Sequence, residues 1–344
     1  MINDSRVTGH QLAAMLGLSQ PTVSRALRGS TTVSEATRTR IQDIARQLNY
    51  KVDKNASNLR SRHSNTLALL LFEDPMPGIS KINPFFLPMF EAILHAAARH
   101  TYDVLTSFQQ SSSDWHTDFE DSRKADGLII LGYGDYRDYQ ERLGRLVEAG
   151  TRFVRWGSAE PTGIYGPRET VIGCDNRAGA EAATRHLLAG GRRAIGFIGE
   201  IGPGAPEFRA RYEGYATALH GAGLPVDPRV QVDAMNNEES GAAAAARLIA
   251  SGQRFDALVC ASDLMAIGAM RALGTAGFSV PGDVAVTGFD DILAASFTNP
   301  PLTTVAQPLV EAGELLVSTL LDLIRDGDAQ SATIPARLVV RGSA

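Results

Sequence analysis

The sequence is poor in cysteine, with only Cys174 and Cys260 among 344 residues. Two thiols cannot build a disulfide framework or a four-thiolate metal site, and their scarcity suits a reducing compartment, the cytoplasm. Long apolar runs are also missing. No stretch approaches the roughly 18 consecutive apolar residues that span a bilayer, and the polar start, Met1 to His10, has no apolar signal core. Neither membrane insertion nor secretion is expected. Catalytic signatures are equally scarce. The stretch Gly199-Glu200-Ile201-Gly202-Pro203-Gly204 has neither dinucleotide spacing nor a P-loop lysine, and no Gly-x-Ser-x-Gly elbow occurs. The seven histidines show no metal-ligand spacing. No cofactor, metal or catalytic residue is therefore expected.

What is present is an ordinary globular composition, 44% hydrophobic and 21% charged, which excludes a disordered chain. At roughly 150 residues per domain the length fits about two domains, with room for a small third. The net charge of −5 hides an asymmetry: residues 1–63 hold 10 Lys+Arg against 4 Asp+Glu, and the other 281 hold 23 against 34. A basic end on an acidic body marks a local footprint for a polyanion.

That basic end has helical punctuation. Thr8 is an N-cap candidate for a helix that places Leu12, Ala13 and Leu16 on one face, and Gly17 stops it. Ser19 offers a second cap, Pro21 falls in the first turn, and Val23, Ala26 and Leu27 face inward. A third amphipathic segment runs from Ser34 to about Leu48, so residues 1–50 read as a helix-turn-helix domain. In that geometry Gln20, Pro21, Thr22 and Arg25 face a major groove. Arg25 can present two donors to guanine, Gln20 can pair with adenine, and the Thr22 methyl can touch a thymine methyl. Ser19, Ser24 and Thr32 suit phosphate oxygens.

The run Leu18-Ser19-Gln20-Pro21-Thr22-Val23-Ser24-Arg25-Ala26-Leu27, with Val33 to Arg38 and Leu48-Asn49-Tyr50 after it, resembles the headpiece of the LacI/GalR family of bacterial transcription regulators. The resemblance covers nearly the whole chain. Pro21 departs from it, standing where the family presents a side chain to the bases. By the same resemblance, residues 51–64 are a hinge that folds on the operator, with Leu59 from each subunit wedged into a minor-groove step and Ala56 packing the pair. Thr8 and Asn55 complete the expected DNA contacts. Read without the family, this segment is a flexible linker.

From Leu67 onward the pattern becomes short apolar runs, among them Leu67–Phe72, Gly127–Leu131, Ala194–Ile198 and Ala257–Cys260, separated by helical stretches. Continuous apolar strands imply parallel sheets covered on both faces, an α/β class whose ligands sit at the carboxyl ends of the strands. The resemblance implies a periplasmic-binding-protein-like effector domain of two lobes, each a parallel sheet with helices on both faces. Its expected N-lobe is about 65–168 and 307–335, and its C-lobe about 169–306 and 336–344, with chain crossings near 168, 306 and 336. It also matches Arg211 and Asp290 to the family's ligand-binding Arg and Asp, and carries over Glu207 and Ser262 to the pocket. Phe85, Phe86 and Trp156 are expected to stack on a flat ligand face. Read singly, Arg211 and Asp290 also admit a structural ion pair, and the Phe residues a place in the core.

The reading is a non-enzymatic, cytoplasmic regulator, a repressor that binds a pseudo-palindromic operator in double-stranded DNA as a homodimer. A small molecule, a sugar or sugar derivative, controls it. The alternatives are a cytosolic sugar-processing enzyme with a DNA-binding or oligomerisation appendage, which would need a catalytic pair the sequence does not show, and a plain solute-binding protein, which the basic headpiece disfavours.

Overall fold

A computed structural model describes residues 7–27, 29–48, 50, 63–71, 82–108, 115–132, 136–158 and 169–344. The chain divides into two compact units, Met1–Ser64 and Asn65–Ala344.

Among the described residues the first unit has three helices, α1 (Gly9–Leu16), α2 (Gln20–Leu27) and α3 (Glu35–Gln47). Their ends follow from local chemistry. Thr8 caps α1 in a capping box with Gln11, and Gly17 closes it with φ 66°, a conformation costly for any residue with a Cβ. The Ser34 side chain caps α3 by accepting from the Thr37 N–H. Leu12, Ala13, Leu16, Val23, Ala26, Val33, Ile41 and Ala45 form the small shared core.

The second unit begins with β1 (Thr66–Leu71), α4 (Leu87–Arg99), β2 (Asp103–Phe108), β3 (Gly127–Leu131), α5 (Tyr136–Ala149), β4 (Phe153–Trp156) and β5 (Thr170–Cys174). It continues with α6 (Asn176–Ala189), β6 (Ile195–Ile198), α7 (Pro206–Gly221), β7 (Gln231–Val232), α8 (Glu238–Ala250), β8 (Ala257–Cys260), α9 (Asp263–Thr275) and β9 (Ala285–Thr287). The last elements are β10 (Thr304–Ala306), α10 (Leu309–Asp326), β11 (Ala332–Ile334) and β12 (Arg337–Val339). The first lobe holds a parallel sheet in the order β11-β5-β4-β3-β1-β2, and the second a parallel sheet in the order β7-β6-β8-β9.

Strand periodicity explains why both faces of the first sheet are dry. Leu67, Leu69, Leu71, Ile129 and Leu131 pack with Met89 and Ile93 of α4 and Leu316 and Leu320 of α10. The alternating residues Ala68, Leu70, Leu128 and Ile130 pack with Trp115, Tyr139 and Leu143 on the opposite side.

The chain crossings differ from expectation in one place. β5 pairs with β4 and β11 in the first sheet, so the first crossing lies near Asp175 rather than 168. Pairing partners distant in sequence decide a strand's lobe, and the run Thr170–Cys174 does not reveal them. Beside the two parallel sheets, β10 and β12 pair antiparallel, in a two-stranded ribbon bridged to the second lobe at Thr287–Thr303 and Asp290–Ala306. Helix α7 starts at Pro206, a residue whose missing N–H costs nothing in a first turn.

Helices α8 and α9 touch through two glycines. A Cβ on Gly268 would stand 2.0 Å from the Glu238 carbonyl oxygen, and one on Gly241 would stand 2.4 Å from that of Met265. Gly268→Ala is therefore expected to cost about 1–3 kcal/mol in urea unfolding, since an added carbon forces the helices apart. Gly274→Ala, in the same helix but with no atom within 4 Å of the new Cβ, should instead stabilise by about 0.5–1 kcal/mol. Equal effects of the two substitutions would refute the close contact.

Candidate functional site

Two surfaces carry the sequence-predicted residues, one on each unit. On the first unit, burial of Val23 and Ala26 fixes the inward face of α2 and leaves Pro21 and Arg25 exposed. Gln20, Thr22 and Ser24 are half-buried along the same helix. The Ser19 and Thr22 hydroxyls lie 2.8 Å apart, and the Thr22 N–H donates to Ser19 Oγ, so Ser19 is the α2 cap. Thr8 and Thr32 are also engaged locally: Thr8 Oγ1 donates to Gln11 and accepts from its N–H, and Thr32 Oγ1 lies 2.9 Å from Ser30 Oγ. These hydroxyls shape helix starts and turns before they can meet any phosphate. Asn55, Ala56 and Leu59 lie outside the described residues.

On the second unit the polar centre is Arg211, 5% exposed, projecting from α7. Its Nε donates to Asn176 Oδ1 at 2.8 Å, and its Nη1 donates to the Ala261 carbonyl and stands 3.3 Å from Asp290 Oδ1. The guanidinium lies 3.8 Å from the Phe289 ring centroid and 5.3 Å from that of Phe208. Asp290 also accepts from Gln307 Nε2 at 2.7 Å. Its φ of 116° is a backbone state that an L residue with a side chain rarely adopts, held here by its N–H donating to the Val305 carbonyl. Burial pushes the Asp290 carboxyl up to about 6, against the opposing pull of Arg211 and the Gln307 hydrogen bond.

The structure thus joins Arg211 to Asp290, the pair that the sequence admits both as ligand groups and as an ion pair. Ser262, next to the Ala261 carbonyl that receives Arg211, is fully buried and caps α9 by accepting from the Met265 N–H. Glu207, four residues before Arg211 on α7, accepts from the Ser158 N–H at 2.7 Å and so ties the second lobe to the end of β4 in the first. Trp156 ends that strand but is only 6% exposed and belongs to the first lobe's core. Phe85 is likewise buried, Phe86 half-buried, and the two rings meet edge to face at 5.0 Å. No ring contact among the described residues joins them to Arg211.

Several residues of this network are absent from the sequence reading. Asn176 and Gln307 stand just past two chain crossings, where a buried polar residue is the only available signal. Asp263 is fully buried at the start of α9, accepting from Thr304 Oγ1 and from the Ile292 N–H at 2.8 Å. Burial drives its carboxyl well above the usual range. Gly288 is required beside it, because a Cβ there would lie 2.2 Å from Asp263 Oδ1. In the first lobe, Arg155 is buried and ion-paired with Glu169. Burial raises both cysteine thiols, Cys174 to about 12. Among the described residues no group of His, Cys, Asp and Glu is placed to hold a metal ion, and no helix is long and apolar enough to cross a membrane.

Comparison with known proteins agrees with this two-part layout. Residues 11–53 match the family of bacterial regulatory proteins of the lacI type, and residues 184–344 match a periplasmic binding protein-like domain. The HTH-type transcriptional repressor CytR of Escherichia coli K12 is 30% identical, over 99% of this chain and 97% of its own. A solved complex of the transcriptional regulator CelR with cellobiose is 28% identical, with a TM-score of 0.72 over 98% of this chain and 99% of the other. A lac repressor dimer bound to operator and an anti-inducer shares the fold, with a TM-score of 0.81 at 23% identity, over 98% of this chain and 99% of that one.

The Asp290 environment sets a pH dependence. Its folded value, about 6, lies above the ordinary 3.8 of an unfolded chain, so the folded state holds the extra proton between those values. The stability this contributes is complete below about pH 4 and is lost as the pH rises through about 6, on the order of 3 kcal/mol. Carboxyl NMR titration should place the Asp290 midpoint near 6, and Arg211→Met should move it higher. A midpoint at the ordinary value, unmoved in Arg211→Met, would contradict the burial argument.

Proposed function

The chain belongs to the LacI family of bacterial regulatory proteins and is a DNA-binding transcription regulator, and from this premise we propose that it is a repressor whose grip on DNA is set by a small molecule in the second unit. The observation that carries the effector reading is the buried Arg211–Asp290 pair. A guanidinium fork and a carboxylate, held beside each other where strands of an α/β sheet end, offer donors and acceptors for adjacent hydroxyls. Maintaining two opposite charges in a dry site costs desolvation free energy, and a core made only for stability does as well with apolar side chains. A sugar or sugar derivative is the proposed ligand; cellobiose in the CelR complex is a precedent in a relative.

The DNA-binding set is Thr8, Ser19, Gln20, Pro21, Thr22, Ser24, Arg25 and Thr32, with α2 in the major groove. Asn55, Ala56 and Leu59 join them in the hinge, residues 51–64. Because one Leu59 cannot make a symmetric kink, the working form is a homodimer on a pseudo-palindromic operator. The effector set is Arg211 and Asp290 with Glu207, Ser262, Phe85, Phe86 and Trp156. The relatives found are transcription regulators rather than enzymes, and the protein acts in the cytoplasm.

Binding at the two sites must be reciprocal: if ligand changes operator affinity by about 1–3 kcal/mol, operator changes ligand affinity by the same factor. Calorimetric titration of each active sugar with and without operator should give affinities that differ by that factor, and identical affinities would sink the mechanism. Arg25→Ala should lose about 1–3 kcal/mol of preference for operator over random duplex, while salt-sensitive nonspecific binding persists. Anisotropy titrations on both duplexes measure this, and undiminished preference would remove Arg25 from base readout.

A further inference from the structure

We propose that Pro21 is a specificity-determining residue whose ring reads the C5 methyl group of a pyrimidine within two base pairs of the guanine that Arg25 meets. The protein then distinguishes thymine and 5-methylcytosine from uracil and cytosine at one position of each half-site. The inference rests on the placing of α2 in the major groove and names what that face of the helix can read.

The outward face of α2 is narrow. Val23 and Ala26 are buried, and Gln42 of α3 donates to the Ala26 carbonyl. Gln20, Thr22, Ser24 and Leu27 are half-buried, which leaves Pro21 and Arg25 as the exposed residues of the helix. The polar residues on either side of Pro21 lean toward the protein: Thr22 Oγ1 lies 2.8 Å from Ser19 Oγ, and the Gln20 amide nitrogen lies 3.9 Å from where a Cβ on Gly9 would stand.

Pro21 and Arg25 are four apart, so they stand side by side with their Cβ atoms about 5–6 Å from each other. Base pairs follow one another every 3.4 Å or so, and the two side chains therefore meet the same base pair or ones within two steps. A guanidinium pairs with guanine O6 and N7 through two parallel donors. A proline ring has no donor or acceptor to offer a base edge. Of the groups that base pairs present in the major groove, only the C5 methyl of a pyrimidine is apolar, and thymine carries it whereas cytosine does not. Against a methyl the ring buries carbon on carbon; against bare cytosine it crowds an amino group that it cannot pair with. Proline in a first helical turn also favours the helix by itself. That contribution is the same for every duplex, and methyl discrimination is not.

The test begins with selection of duplexes by the full chain from a randomised library, followed by anisotropy titration of the selected site. Replacing guanines one at a time by 7-deazaguanine, which lacks N7, locates the guanine whose contribution disappears in Arg25→Ala. Each pyrimidine within two base pairs of it, on either strand, is then compared with and without its C5 methyl: thymine against uracil, and 5-methylcytosine against cytosine. At one position the methylated base is expected to bind about fourfold tighter in both comparisons, the worth of one buried methyl group. With both half-sites methylated the ratio should exceed about tenfold. Pro21→Ser should bring the ratio to about one, whereas Pro21→Val, which keeps an apolar surface, should hold it at about twofold or more, with both folds verified by circular dichroism. A ratio of one at every position overturns the inference while leaving α2 in the groove. So does a ratio that survives in Pro21→Ser, which would give the methyl to a neighbour such as Thr22, and loss of the ratio in Pro21→Val overturns the apolar readout. A selection that returns no preferred sequence, or a site with no guanine that depends on Arg25, brings down the placing of α2 and the inference together.

Discussion

One buried guanidinium holds the working parts of the second unit in register. Arg211 reaches from α7 to Asn176, just past the first chain crossing, to the end of β8 at Ala261, and to Asp290 just after β9. Asp290 in turn accepts from Gln307, just past the second crossing. Two of the three segments that connect the lobes are therefore joined by hydrogen bonds to the same ion pair. A change of partner at Arg211 or Asp290 would therefore reach residues beside these connections directly, without a long relay of packing.

The backbone around this pair is built to tolerate it. Asp290 keeps a positive φ, Asp291 follows with φ 55° and is paired with Arg341, and Gly288 makes way for the Asp263 carboxylate. Asp263 then anchors the start of α9 to Thr304 and Ile292. The Gly288-Phe289-Asp290-Asp291 run is thus a single device: the glycine admits a buried acid, the phenylalanine ring stacks on Arg211, and the first aspartate supplies the countercharge.

Much of this was legible in the sequence where the signal is local. The caps Thr8 and Ser19, the stop at Gly17 and the start of an amphipathic segment at Ser34 are set by neighbouring residues, and the structure has a helix end at each. The apolar runs at Leu67 and Ala257 announce dry strands by themselves. What stayed hidden depends on partners far along the chain. β5 joins the first sheet by pairing with β4 and β11, which its own residues do not state. In the cleft, Arg211 and Asp290 were visible through resemblance, whereas Asn176 and Gln307 carry no motif: a polar residue beside a helix start reads as a cap until the fold turns it toward an arginine.

The state of the two thiols has a practical corollary. Cys174 and Cys260 are both buried, and burial keeps them protonated and away from solvent. Alkylating dyes such as maleimides react with exposed thiolate, so the native chain is expected to stay dark. A single cysteine introduced on the surface of either lobe would then be the one labelled position, and fluorophore pairs across the lobes could follow opening and closing without first removing the natural sulfur atoms.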